Sequence, residues 1–176
     1  VKRNSDGLLN IINDLLDMSK IEAGMLNYQI AGTDLNLLCK EVVNDLSTTT
    51  QNDVKLLFKP EKDSFIINTD KQRLRQVIVN LVSNACKFTT EGEITISYKQ
   101  LSTDCLEIRV TDTGIGIATE NIPKLFNRFT KLNSNAKGTG LGLVICKSII
   151  EHLGGEIGIA AELGKGSSFW FTHPIS

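Results

Sequence analysis

Apolar residues recur along the chain in two rhythms, one of three to four residues and one of two, and the switches between them mark helices and strands. Leu8, Ile11, Leu15, Met18 and Met25 follow alternating three- and four-residue steps with a gap at Glu22. Leu9, Ile12, Leu16 and Ile21 widen that stripe, so the opening helix is apolar on more than one side, with Gly24 as its stop. Asp34 can cap a second helix through Leu37, Leu38, Val42, Val43 and Leu46. A third helix, starting at Asp70, is sharply two-faced. Leu74, Val77, Ile78, Leu81, Val82 and Ala85 take one side, while Asn80, Asn84 and Lys87 share the other at i, i+4 and i+7. Residues 54–58 and 65–67 read as short strands. Residues 93–98 and 106–110 alternate polar and apolar as half-buried strands do, with Ser102-Thr103-Asp104 turning between them. A fourth helix over 141–153 ends at Gly154-Gly155, and 157–160 with 168–171 form a closing hairpin over Gly164-Lys165-Gly166. Hairpins mixed with helices predict an α+β class: a two-layer α/β sandwich with helices covering one face of a mixed sheet, preceded by one long helix.

Composition adds limits rather than direction. The 176 residues suit one sizeable domain with an appendage. A net charge of −1 and the lack of a basic stripe argue against nucleic acid as a partner. No apolar run approaches the ~20 residues that span a bilayer, so no direct membrane contact is expected. Cys39, Cys86, Cys105 and Cys146 are scattered and never form C-x-x-C, which predicts small packed thiols rather than disulfides or a metal site.

The polar face of the third helix opens a run of motifs. Asn80-Leu-Val-Ser-Asn84-Ala-Cys-Lys87-Phe-Thr resembles the asparagine box of sensor histidine kinases. Asp112-x-Gly114-x-Gly116-Ile117 is similar to the first glycine box of that family, and Phe126-Asn127-Arg128-Phe129 to its phenylalanine box. Gly138-Thr139-Gly140-Leu141-Gly142-Leu143 resembles the second glycine box, and Gly164-Lys165-Gly166-Ser167 a third. One glycine pattern alone is weak. Several in the family's order behind an asparagine box are specific, and the resemblance runs along nearly the whole chain. Ser19-Lys20-Ile21-Glu22-Ala23-Gly24 resembles the end of the second helix of the kinase dimerisation hairpin. The resemblance therefore implies residues 1–26 as part of that hairpin and 27–176 as a catalytic domain with the ATP-binding fold of histidine kinases, gyrase, Hsp90 and MutL-type proteins.

It also implies ATP and Mg²⁺ as cofactors. Mg²⁺ wants oxygen ligands, and an asparagine carbonyl supplies one without adding charge beside a triphosphate. Asn84 is then the direct ligand, Asn80 lies nearby through water or phosphate, and Lys87 offers a mobile charge to the phosphates. Relatives that hydrolyse ATP carry glutamate where this chain has Asn80, and a neutral amide has no useful basicity. That departure fits transfer to a protein acceptor rather than to water. Asp112 can accept from the exocyclic amine of adenine, while guanine presents a carbonyl there. Gly114, Gly116 and Ile117 shape its turn. Residues 127–140, rich in Asn, Lys, Ser and Gly, fall where the family has its ATP lid. Phe126 precedes it, and Arg128 most resembles a residue that moves with the lid. Lys131 and Lys137 are its other cations and read either as phosphate contacts or as a solvated loop. Gly138, Thr139, Gly140, Leu141 and Gly142 lead into a helix N-terminus. Rossmann and Walker readings fail, because Gly138-x-Gly140-x-Gly142 follows no strand and Gly164-Lys165-Gly166-Ser167 lacks G-x-x-x-x-G-K.

Neither His152 nor His173 has the surroundings of the family's acceptor box, which is expected upstream of Val1. The partners implied are a response-regulator receiver domain and a second copy bound through the hairpin helices, in the cytoplasmic part of a membrane-anchored sensor. Two other classes share the pattern: a nucleotide-binding scaffold without catalysis, and a serine kinase of the anti-sigma type.

Overall fold

The computed structural model describes residues 2–50, 53–131 and 138–176, with side chains from Leu8 onward. In chain order the elements are α1 (Lys2–Glu22), β1 (Ala31–Asp34), α2 (Leu35–Leu46), β2 (Val54–Lys59), β3 (Ile66–Thr69), α3 (Lys71–Phe88), β4 (Gly92–Gln100), β5 (Cys105–Asp112), α4 (Gly142–His152), β6 (Ile157–Glu162) and β7 (Gly166–Pro174). A 3₁₀ helix covers Thr119–Lys124. Five strands form one mixed sheet in the order β2-β4-β5-β7-β6, in which only β2 and β4 run parallel. The parallel pair is joined through β3 and α3, the long crossover such a pair requires. β1 and β3 make a separate antiparallel pair, with Thr33 opposite Ile67. The α+β sandwich predicted from the pattern is the fold observed.

Alternation along the central strands explains the layers. Ile94, Ile96, Leu106, Ile108, Val110, Phe169 and Phe171 point into the core and are buried. Glu107 and Arg109, between them on β5, face the other way and pair at 2.5 Å. Helices α2, α3 and α4 cover the inward face. Asp70 caps α3 by accepting from the Arg73 N–H at 3.0 Å, and it also accepts from the Gln29 N–H at 2.7 Å. All six apolar positions expected on the inner side of α3 are buried, at most 4% exposed. Their burial against the sheet, not the helix's own propensity, fixes where the opposite face points.

α1 docks by its last turns only. Met18 is buried and Ile21 packs on the core, while Leu8, Leu9, Ile11, Ile12, Leu15 and Leu16 are exposed. Asp17 accepts from Gln76 at 2.7 Å and pairs with Arg73 at 3.4 Å, both on α3. The following segment is tied down as well, since Tyr28 stacks on His152 with ring centroids 3.9 Å apart. Among the described residues no helix is long and apolar enough to cross a membrane. The four cysteines are free thiols, and burial pushes Cys39 and Cys146 up to about 12.

His173 is the buried histidine. Its Nδ1 faces the Pro174 carbonyl at 2.5 Å and its Nε2 lies 2.9 Å from the Thr69 hydroxyl, joining β7 to β3. The carbonyl is an acceptor only, so Nδ1 carries the proton and Nε2 accepts from Thr69. Burial holds its pKa below the ordinary histidine value. The unfolded chain then binds the extra proton more readily, so this stabilisation is complete above the unfolded pKa and is lost as pH falls toward the folded one. The melting temperature is expected to drop between pH 7.5 and 5, and less steeply in His173→Gln. An equal slope in both proteins would contradict this role.

Candidate nucleotide site

The polar face of α3 opens onto a cleft of about 560 Å³. Asn80, Asn84 and Lys87 form one wall. Asp112, at the end of β5, and the turn through Gly116 and Ile117 form the floor, with Ser167 and Phe169 of β7 beside them. Gly138, Thr139, Gly140 and Gly142 close the far side at the entry to α4. Residues far apart in sequence thus meet in one concavity because α3 and α4 pack side by side over the β5–β7 strand pair.

Asp112 is 5% exposed, and its Oδ1 accepts from the Gly114 N–H at 2.9 Å. Burial pushes its pKa up, while the Gly114 and Ser167 N–H groups pull it back. The carboxylate is thereby placed on the cleft floor as an acceptor. Backbone comes close here because Gly116 has φ +70°, and a Cβ on it would stand 1.9 Å from the Glu162 carbonyl oxygen. The hairpin tip is tied to the same turn by the Gly164 N–H, which donates to the Ile115 carbonyl at 2.7 Å.

Lys87 projects across the cleft, with its ammonium 3.3 Å from where a Cβ on Gly138 would lie. Burial, aided by Lys131, holds its pKa below the usual lysine value, and the Asp14 carboxylate opposes that shift. Asp14 comes from α1. It accepts from the Thr139 hydroxyl at 2.8 Å and so pins the second glycine run to the first helix. The cleft therefore brings the Asn80 and Asn84 amides together with the carboxylates of Asp14 and Asp112 and the ammonium groups of Lys87 and Lys131. Hard oxygen donors beside a cation suit Mg²⁺ and phosphate; they do not suit a soft metal. Among the described residues no group of three His, Cys, Asp or Glu side chains could hold an ion.

Ten of the expected site residues line this cleft: Asn80, Asn84, Lys87, Asp112, Gly116, Ile117, Gly138, Thr139, Gly140 and Gly142. Gly114, Phe126, Arg128 and Leu141 are not on its wall. Gly114 supports Asp112 from behind, Leu141 is buried beneath the N-terminus of α4, and Arg128 forms an ion pair with Glu22 of α1. Lys131 lines the cleft, whereas Lys137 and the middle of the lid segment, residues 132–137, lie outside the described residues. Sequence reading missed Asp14 and Ser167. Asp14 falls at i, i+4 and i+7 with Met18 and Ile21, so a carboxylate on the docking face of α1 was the available signal.

Residues 69–176 match the family described as histidine kinase-, DNA gyrase B- and HSP90-like ATPases. The chain belongs to that family. Among curated relatives, it is 38% identical over 183 residues to the sensor protein GacS of Pseudomonas syringae pv. syringae, covering 98% of this chain and 20% of the relative. It is 36% identical over 182 residues to the signal transduction histidine-protein kinase BarA of Escherichia coli strain K12, covering 97% and 20%. The chain thus spans about a fifth of the length of these relatives. Its fold matches that of full-length ShkA, solved in complex with AMPPNP, with a TM-score of 0.90 and 28% identity over 99% of this chain and 37% of ShkA. The agreement includes α1, so the docked helix belongs to the likeness.

Proposed function

We propose that this chain is the nucleotide-binding catalytic part of a two-component sensor histidine kinase, and that its cleft takes Mg–ATP. The observation that carries this reading is the meeting of Asn84, Lys87 and Asp112 in one cleft beside a helix N-terminus. Asp112 selects the base, accepting from an amino group. Lys87 and the backbone N–H groups at the start of α4 draw the phosphates. Asn84, with Asn80 beside it, would hold Mg²⁺ through amide oxygens. Bound Mg²⁺ would neutralise charge on the phosphates. Asn80 cannot take a proton from water, which keeps the γ-phosphoryl for a protein acceptor. Catalysis then rests on positioning and charge compensation.

In the whole protein the phosphoryl group would pass to a histidine of the dimerisation hairpin and then to an aspartate of a receiver domain. Residues 1–26 are the second hairpin helix and 27–176 the catalytic domain in this reading. The exposed apolar face of α1 is what a second copy would cover in a four-helix bundle, in the cytoplasmic part of a membrane-anchored sensor. Incubating the chain with Mg–ATP and an acceptor hairpin tests the proposal. The expected product is a phosphorylated hairpin whose label is lost in acid and survives alkali. An acid-stable label would give the serine-kinase reading, and nucleotide binding without transfer the scaffold reading.

A further inference from the structure

Thr89 follows the last residue of α3 and turns the chain into extended backbone, with φ −117° and ψ 115°. Its side chain is fully buried, and among the described residues its hydroxyl has no hydrogen-bond partner. A buried hydroxyl left unpaired in a well-packed domain calls for an explanation. Its location gives one. A Cβ built on Gly114 would lie 2.8 Å from Thr89 Oγ1 and 2.9 Å from Asp112 Oδ1, so hydroxyl and carboxylate flank the same α-carbon. The adjoining backbone is fixed, since the Ile115 N–H donates to the Phe88 carbonyl at 3.1 Å. Thr89 is not on the cleft wall but Asp112 is, so the hydroxyl stands behind the carboxylate that faces the ligand.

We propose that Thr89 is a positioning residue for base selection: its hydroxyl holds the Asp112 carboxylate in the orientation and the acceptor-only state that the amino edge of adenine requires. The inference rests on the nucleotide reading above and deepens it. A carboxylate accepts and cannot donate, so it pairs with an amino group and repels a carbonyl. A protonated carboxyl can donate to a carbonyl, and discrimination against guanine would fade. Burial favours that protonated form, while the Gly114 and Ser167 N–H groups favour the charged one, and the Thr89 hydroxyl joins them once it turns to donate to Asp112. Among the described residues, the charged groups that share the cleft with Asp112 are Asp14, Lys87 and Lys131, and the opposition to its burial comes instead from neighbouring hydrogen-bond donors.

The test is calorimetric binding of Mg–ATP and Mg–GTP from pH 5 to 8 with the unaltered chain, Thr89→Val and Thr89→Ser. Valine keeps the shape and removes the hydroxyl; serine keeps the hydroxyl. Thr89→Val is expected to weaken ATP binding about tenfold at pH 7, to move the acid loss of binding to higher pH, and to narrow the ATP-over-GTP preference about fivefold. Thr89→Ser should stay within about twofold of the unaltered chain on all three counts. An unchanged pH profile and preference in Thr89→Val overturns the inference, whatever happens to its melting temperature. If Thr89→Val does not fold, Thr89→Ala against Thr89→Ser provides the same contrast. Failure of the unaltered chain to bind ATP overturns the nucleotide reading itself and this inference with it.

Discussion

Asn84→Ala is expected to weaken Mg–ATP binding by roughly 10- to 100-fold, the worth of about 1.5–3 kcal/mol for a polar contact to a charged group. It should do so without loss of stability. Asn84 is only half-buried and faces the cleft, so its amide supports no packing of α3. Alanine is also the better helix former, which favours an unchanged or slightly higher melting temperature. Binding and stability therefore part company at this position. At Leu81, three residues away and fully buried, alanine would lower stability first. Calorimetric titration and a thermal melt on the same sample decide between the two patterns. Near-normal affinity in Asn84→Ala would remove the amide from the site.

Gly116→Ala is expected to cost about 2–5 kcal/mol of stability, combining a left-handed backbone penalty of about 1–2 with an overpacking penalty of about 1–3. Both terms are visible in the structure. Gly116 has φ +70°, and an added Cβ would stand 1.9 Å from the Glu162 carbonyl oxygen and 2.7 Å from its carbon. The obstacle is backbone of the β6–β7 hairpin, which cannot swing aside as a flexible side-chain end can. Gly164→Ala is the control. Its φ is +82° with nothing within 4 Å, so it carries the backbone penalty without the clash. Urea denaturation of both variants isolates the close-contact cost. The hairpin tip bears Leu163 on the cleft wall, so Gly116→Ala should also weaken nucleotide binding. Equal stabilities for the two variants would contradict the close approach.

Much of this structure was legible before folding. The six apolar positions of α3 follow from spacing alone, because a helix packed on one face has a single solution for which side is buried. The turn glycines and the alternating strands β4 and β5 were equally plain. β1 was not visible: its four residues, Ala31–Asp34, show no apolar alternation, and pairing with β3 is what makes them a strand. β3 itself lies over Ile66–Thr69 rather than 65–67, because Phe65 buries its ring while its carbonyl accepts from the Leu35 N–H. The parallel direction of β2 depends on the crossover through α3, which no local pattern records.

The candidate site divides in the same way. Residues on regular elements, Asn80, Asn84, Lys87 and Asp112, came together as their faces required. Arg128 and Asp14 depend on where α1 docks. The Glu22–Arg128 and Asp14–Thr139 contacts join segments more than 100 residues apart in sequence, and no motif encodes them.

The cleft is proposed to be a Mg²⁺-dependent site for an adenine nucleotide. Calorimetric titration of the unaltered chain with ATP and with GTP, with and without Mg²⁺, tests it most directly. Saturable ATP binding that weakens without Mg²⁺, with GTP at least about tenfold weaker, is the expected result. No ATP binding, or equal binding of the two nucleotides, would contradict it.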